Sequence, residues 1–195
     1  MAVSCRTAPP RLPAILQPGA PGEGTRVISA DAATDLPPAG HVPADVRFMR
    51  QMIAHHAQAL EMAALVPDRS AREDVGTLAR RIALSQADEI QMMRRWLESR
   101  GEPLPDPHAH HVAGGAPMAG MLSAPEMRRL AESRGGEFDR LFLELMIRHH
   151  EGAVLMVRAL FAAGGGQESE VFAFASDVEV EQQLEIGRMR SMLSR

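Results

Sequence analysis

Two histidine pairs, His55-His56 and His149-His150, lie in stretches of sequence that copy one another. Aligning residues 48–63 with 142–157 matches Phe48 to Phe142, Met52 to Met146, Ile53 to Ile147, Ala59 to Ala153 and Met62 to Met156 around the pairs. That is seven identities in sixteen positions. Asp45 matches Asp139 just outside this block. A second block, 86–97 against 182–193, matches Gln86 to Gln182, Glu89 to Glu185, Ile90 to Ile186, Met93 to Met189, Arg94 to Arg190 and Leu97 to Leu193. Packing alone requires only that apolar positions repeat. A repeated imidazole pair and a repeated carboxylate ask for chemistry.

Adjacent residues of a helix point about 100° apart, so the two rings of a pair face different ways. His56 falls on the apolar stripe with Met52 and Ala59. Met62, seven residues beyond His55, points within about 20° of it. His150 groups with Met146, and His149 with Met156, in the same way. Each copy thus sets an imidazole beside a thioether twice. The partner stripes read Val75, Leu78, Ile82, Glu89, Met93, Trp96 and Val171, Phe174, Val178, Glu185, Met189, Met192. Each carries one carboxylate, which is expensive to bury unless it is paired. An imidazole N–H on the facing helix is the expected partner, and such a bond holds a ring for metal ligation through its other nitrogen. Thioether with imidazole suits Cu(I), and by analogy Ag(I), better than Zn, Mg or Ca. A second candidate set for copper is the run His108, His110, His111, Met118 and Met121. Simpler readings of the same residues are adaptable methionine packing and hydrogen-bonded core histidines.

The elements that must position these groups are helical. Apolar residues recur at i, i+3 and i+4 from about Asp45 to Val66, with Pro67 as the stop. Ser70 and Glu73 form a capping-box pattern for a second helix that ends at Gly101. Ser123 and Glu126 form another, for a short helix ending near Gly135-Gly136. A long helix is expected over about 137–163 and a last one from about Glu168 to the C-terminus. No segment has strand-like alternation, so the expected fold is all-α. Each half is a helix hairpin that cannot bury its apolar face alone. Two hairpins, about 44–101 and 136–195, should pack as a four-helix bundle, with 102–135 long enough to cross it.

Composition bounds the rest. The chain of 195 residues has room for one ordinary domain with a tail. Residues 1–43 hold eight of the fourteen prolines and read as a disordered Pro-rich tail. Ala2-Val3-Ser4-Cys5 resembles the end of a lipoprotein cleavage box, which points to an extracytoplasmic address, secreted, periplasmic or lipid-anchored through Cys5; a free cysteine in a cytoplasmic protein is the alternative. The single cysteine excludes an internal disulfide and a Cys-based zinc site. No apolar run is long enough to span a membrane. A formal charge of −4 gives no electrostatic case for nucleic acid. Oligomeric state is not legible. All 21 basic residues are Arg, and Lys, Asn and Tyr are absent, a pattern of GC-rich coding that leaves the 13 methionines unexplained.

The motif Phe48-x3-Met52-Ile53-x-His55-His56-x2-Ala59-x2-Met62, its second copy over 138–153, and Gln182-x2-Glu185-Ile186 resemble domain-of-unknown-function family 305. Gly120-Met121-Leu122-Ser123 with Phe138 is similar to that family's linker. The resemblance covers about 44–195. It implies a ferritin-like four-helix bundle, usually exported in bacteria, that binds copper through Met and His for copper sequestration or resistance. Carried over by position, the implied ligands are Met52, His55, His56, Met62, Met146, His149, His150 and Met156, joined by Glu89, Met93, Glu185 and Met189. Trp96 stands where the second copy has Met192, so the half-sites need not be equivalent.

Copper binding of this kind needs no turnover, so the chain is not expected to be an enzyme. One alternative is a structural or partner-binding bundle whose His and Glu only hydrogen-bond. Another is a di-iron carboxylate oxidoreductase, which needs Glu-x-x-His on two helices. Here Met52, Ile53, Met146 and Ile147 occupy the places such glutamates would take.

Overall fold

The computed structural model describes residues 15–17, 25–30, 40–105 and 118–195. It divides into two units, Met1–Ala39 and Gly40–Arg195. In the first, strand β1 (Ile15–Gln17) pairs antiparallel with β2 (Arg26–Ile28), Leu16 opposite Val27. The segment read as a disordered or extended tail thus contains a short strand pair. Ile15, Val27 and Ile28 are β-branched, and Pro18 follows β1 rather than interrupting it, which is compatible with a short pair.

The second unit is all-helical in its described residues, as its periodicity requires. Helix α1 is Pro43–Ala64, α2 Val66–Arg69, α3 Glu73–Ser99, α4 Ala124–Glu132, α5 Gly135–Ala162 and α6 Ser169–Leu193. Pro43 opens α1 at the position where its missing N–H costs nothing. Helix α1 ends at Ala64 and not at Pro67, which instead sits inside the single turn α2. The Ser70–Glu73 capping box does not form. Ser70 Oγ donates to Asp139 across the bundle at 2.5 Å, and Arg72 takes the cap position of α3. The Ser123–Glu126 box does form, Glu126 accepting from the Ser123 amide at 2.8 Å.

Helices α1 and α3 make one hairpin, α5 and α6 the other, and α1 meets α5 across the bundle. The matched aspartates join the hairpins. Buried Asp45 on α1 accepts from Gly166 N–H in the α5–α6 turn at 2.7 Å. Buried Asp139 on α5 accepts from Ser70 and from Ala71 N–H beyond α2, the latter at 3.2 Å. Each hairpin thus fastens the turn of the other.

The core falls into two apolar clusters. One holds Ala59, Met62, Ile82, Met146, Ile186 and Met189. The other holds Met52, Ile53, Ile90, Met93, Ala153 and Val178, with half-buried Met156 against it. On every long helix the residues between the two are polar: His55 and His56, Gln86 and Glu89, His149 and His150, Gln182 and Glu185. A polar layer crosses the middle of an apolar bundle.

Candidate metal centre

The layer is assembled from the repeated residues. His56 Nε2 lies 2.5 Å from Glu89 Oε2, and His150 Nε2 lies 2.7 Å from Glu185 Oε2. These are the pairs the two stripes require, each joining the helices of one hairpin. Both rings are fully buried. Where Nε2–H donates to the carboxylate, Nδ1 is the ring nitrogen left to ligate a metal. Neither Nδ1 has a hydrogen-bond partner among the described residues.

His55 and His149 come from different hairpins and meet in a tilted contact, their ring centroids 3.7 Å apart and their planes 36° apart. Helical-wheel reasoning gives each ring a direction on its own helix but does not reveal this contact, because it depends on how α1 crosses α5. Nε2–H of His55 donates to Ala119 O at 3.1 Å, leaving Nδ1 unpartnered. Neither ring nitrogen of His149 has a partner within hydrogen-bonding geometry among the described residues. Burial, then the neighbouring His56, pushes His55 down to about 3, against a pull upward from Ala119 O. Burial, then His55 and the other two imidazoles, holds His149 well below the ordinary histidine value. Both rings are therefore neutral at pH 7, the state that ligates metals.

The other sequence candidates are distributed around this layer. Met52, Met62, Met146, Met93 and Met189 are fully buried, and Met156 is half-buried. They do not gather at one point: Met62, Met146 and Met189 lie on one side of the histidines, Met52, Met93 and Met156 on the other. Met118 and Met121 are half-buried in the segment that crosses His55 and His149. His108, His110 and His111, like Cys5, lie outside the described residues. Among the described residues, no three His, Cys, Asp or Glu side chains converge as a metal-holding group. A carboxylate-rich hard-metal centre therefore has no ligand set there. A thioether–imidazole set is a different chemistry, and the fourfold unpartnered Nδ1 fits it.

Several residues of the layer were not among the site candidates drawn from the sequence. Gln86 and Gln182 are buried, with both amide atoms of Gln86 and Oε1 of Gln182 unpartnered among the described residues. Their identity in the two copies was the available signal. Glu181 lies at the edge, where Ser85 Oγ donates to it at 2.9 Å. Burial, with Glu89 and Glu185 nearby, raises its carboxyl above the ordinary value despite that bond. Position 85 is Ser where its repeat partner 181 is Glu, so identity gave no clue. Trp96 also breaks the repeat: His41 meets its edge at 5.5 Å and the Arg100 guanidinium lies 4.4 Å from its ring centre.

Comparison with known proteins agrees with this architecture. The sequence model described as domain of unknown function DUF305 matches residues 45–193. A DUF305 fragment from Deinococcus radiodurans is 36% identical, with a TM-score of 0.70, covering 82% of this chain and 99% of its own. A DUF305 protein from Streptomyces coelicolor, described as a candidate secreted protein, is 32% identical, TM-score 0.68, covering 77% and 92%. CopM in its Cu(II)-bound form is 25% identical, TM-score 0.65, covering 77% and 95%. CopM is also known in Cu(I)-bound and Ag-bound forms. Among curated proteins nothing matches.

Proposed function

The chain belongs to the DUF305 family, and from that premise we propose that it binds a soft monovalent metal ion, Cu(I) with Ag(I) as its analogue, for sequestration or transfer without catalytic turnover. One observation carries the reading. Two repeat-related imidazoles each pair Nε2 with a carboxylate, buried Glu185 and half-buried Glu89, and keep an unpartnered Nδ1 inside the bundle. A buried acceptor without a partner is costly, and such groups call for an ion or a water. The carboxylate on the far nitrogen fixes the tautomer and raises the basicity of the nitrogen that would ligate. Thioethers lie in the apolar clusters on both sides, so an ion in this layer would meet sulfur and nitrogen donors and little water.

The candidate ligands are His55, His56, His149 and His150, with sulfur drawn from either flank of the layer, Met62 and Met146 on one side or Met52 and Met156 on the other. Met93 and Met189 flank them, and Glu89 and Glu185 orient the rings. The Cu(I)- and Ag-bound forms of the CopM neighbour support the choice of metal. The description of the Streptomyces relative supports an extracytoplasmic address. No helix among the described residues is long and apolar enough to cross a membrane.

Competition against bathocuproine tests the reading. The wild-type chain should withdraw Cu(I) from the chelator, and His55→Ala combined with His149→Ala should weaken that withdrawal at least tenfold. Unchanged competition by the double variant would remove the bundle layer as the site. A purely structural bundle, the rival, predicts no rise in melting temperature with Ag(I).

A further inference from the structure

The central imidazoles are repeat partners, yet one short segment treats them differently. Residues 118–122 cross α5 at Gly152 and reach α1 at His55 and Gln58. At Gly120, φ is +76°, and a Cβ there would lie 2.5 Å from Arg148 O and 2.9 Å from His149 O. A Cβ at Gly152 would strike Ala119 O. The crossing therefore exists only because two glycines meet. On the other side, buried Gln58 donates from Nε2 to Leu122 O at 3.0 Å and accepts from Leu122 N–H at 2.7 Å. Between these anchors, Ala119 O accepts from His55 Nε2–H. Beyond them, Glu126 pairs with Arg148 on α5 at 2.6 Å.

Gln58 and Gly152 are the same position of the two repeats, three residues after His55 and His149. The copies diverged there into a latch and a bare crossing point, and one segment uses both. Its carbonyl occupies Nε2 of His55 but takes no bond from His149, whose nearest backbone influence is His55 itself.

We propose that residues 118–122 form a strap, latched by Gln58, that controls access to the His55–His149 pair and assigns His55 its ligating nitrogen, Nδ1. The inference about access rests on the geometry alone; its use for a soft metal ion rests on the function proposed above. Gln58 acts through the strap and is a positioning residue.

Gln58→Leu keeps apolar volume and removes both latch bonds. Gly152→Ala favours α5 as a helix but expels the strap by its Cβ, so it perturbs the same contact by an unrelated route. Each variant, checked by circular dichroism, should lose about tenfold hydrogen-exchange protection at the Leu122 amide. Carbethoxylation of His55 and His149 by diethyl pyrocarbonate should accelerate by a similar factor, and so should the Ag(I) uptake rate in stopped flow. His56 and His150 should gain less reactivity than the central pair. Unchanged carbethoxylation with Leu122 deprotected would overturn the strap as the barrier. Unchanged Leu122 protection in Gln58→Leu would overturn Gln58 as its latch. Faster carbethoxylation without any Ag(I) binding would support the strap and overturn the metal function.

Discussion

At the scale of single residues, burial sets the chemistry of the layer, and pH tests it. The folded His55 takes a proton only near pH 3, whereas the unfolded chain takes one near 6.5. Below 6.5 the unfolded state thus binds more protons, so stability is full above that pH and falls as pH drops toward 3. Between pH 6 and 4.5 the slope for one such group approaches about 1.4 kcal/mol per pH unit. His149 shifts the same way and adds to it. Urea midpoints should therefore decline across this window, and His149→Gln should flatten the decline. A profile level from pH 7 to 4.5 would contradict the buried neutral pair. Glu185→Ala leaves His150 Nε2–H buried without its acceptor, an expected loss of about 1–3 kcal/mol. The same change should weaken Ag(I) binding by about ten- to a hundredfold. Much of this was legible in the sequence, because one carboxylate on an apolar stripe has few partners that can satisfy it. The contact of His55 with His149 was not, since a helix period gives direction and not the crossing of two helices.

At the scale of elements, the aspartate clasps and the strap hold the helices in register. Asp45 and Asp139 each receive bonds from the turn of the opposite hairpin. Asp45→Ala would leave the buried Gly166 N–H unpaired and free Val42 N–H as well. The expected loss is about 2–4 kcal/mol, with a matching effect for Asp139→Ala, both read from urea midpoints. A loss below half a kcal/mol in both variants would mean that the hairpins dock by apolar contact alone. The match of Asp45 to Asp139 was visible in the sequence, but its role was hidden because the partners lie 121 and 69 residues away. The Ser70 cap is displaced by the start of the helix: Ser70 Oγ accepts from the Arg72 amide at 3.1 Å and donates to Asp139, so it caps the turn before α3 and ties it to the other hairpin. Gln58 and Gly152 were invisible for the opposite reason, because they differ between the copies. Repeat comparison finds what two halves share and passes over what one half does to the other.

At the scale of the molecule, the matched residues of the two halves fall at matching places in the bundle and mark the position of the layer. Two copies of one hairpin bring four imidazoles and two carboxylates to the middle of the bundle, where the two apolar clusters part. The four-helix architecture was legible because apolar periodicity and repeat alignment agree along the chain. The strand pair within 15–28 was not, being too short for any period to register. An ion bound only by the native layer must stabilise it, so free Ag(I) at a hundred times its dissociation constant should add about 2.7 kcal/mol, read as a rise in melting temperature. The most direct test follows the ring nitrogens themselves, by long-range proton–nitrogen correlation on imidazole-labelled protein during an Ag(I) titration. Nδ1 of His56 and His150 should move from its metal-free position to a metal-bound one, while Nε2 stays hydrogen-bonded to Glu89 and Glu185. Nδ1 signals that do not move in any of the four histidines at saturating Ag(I) would contradict it.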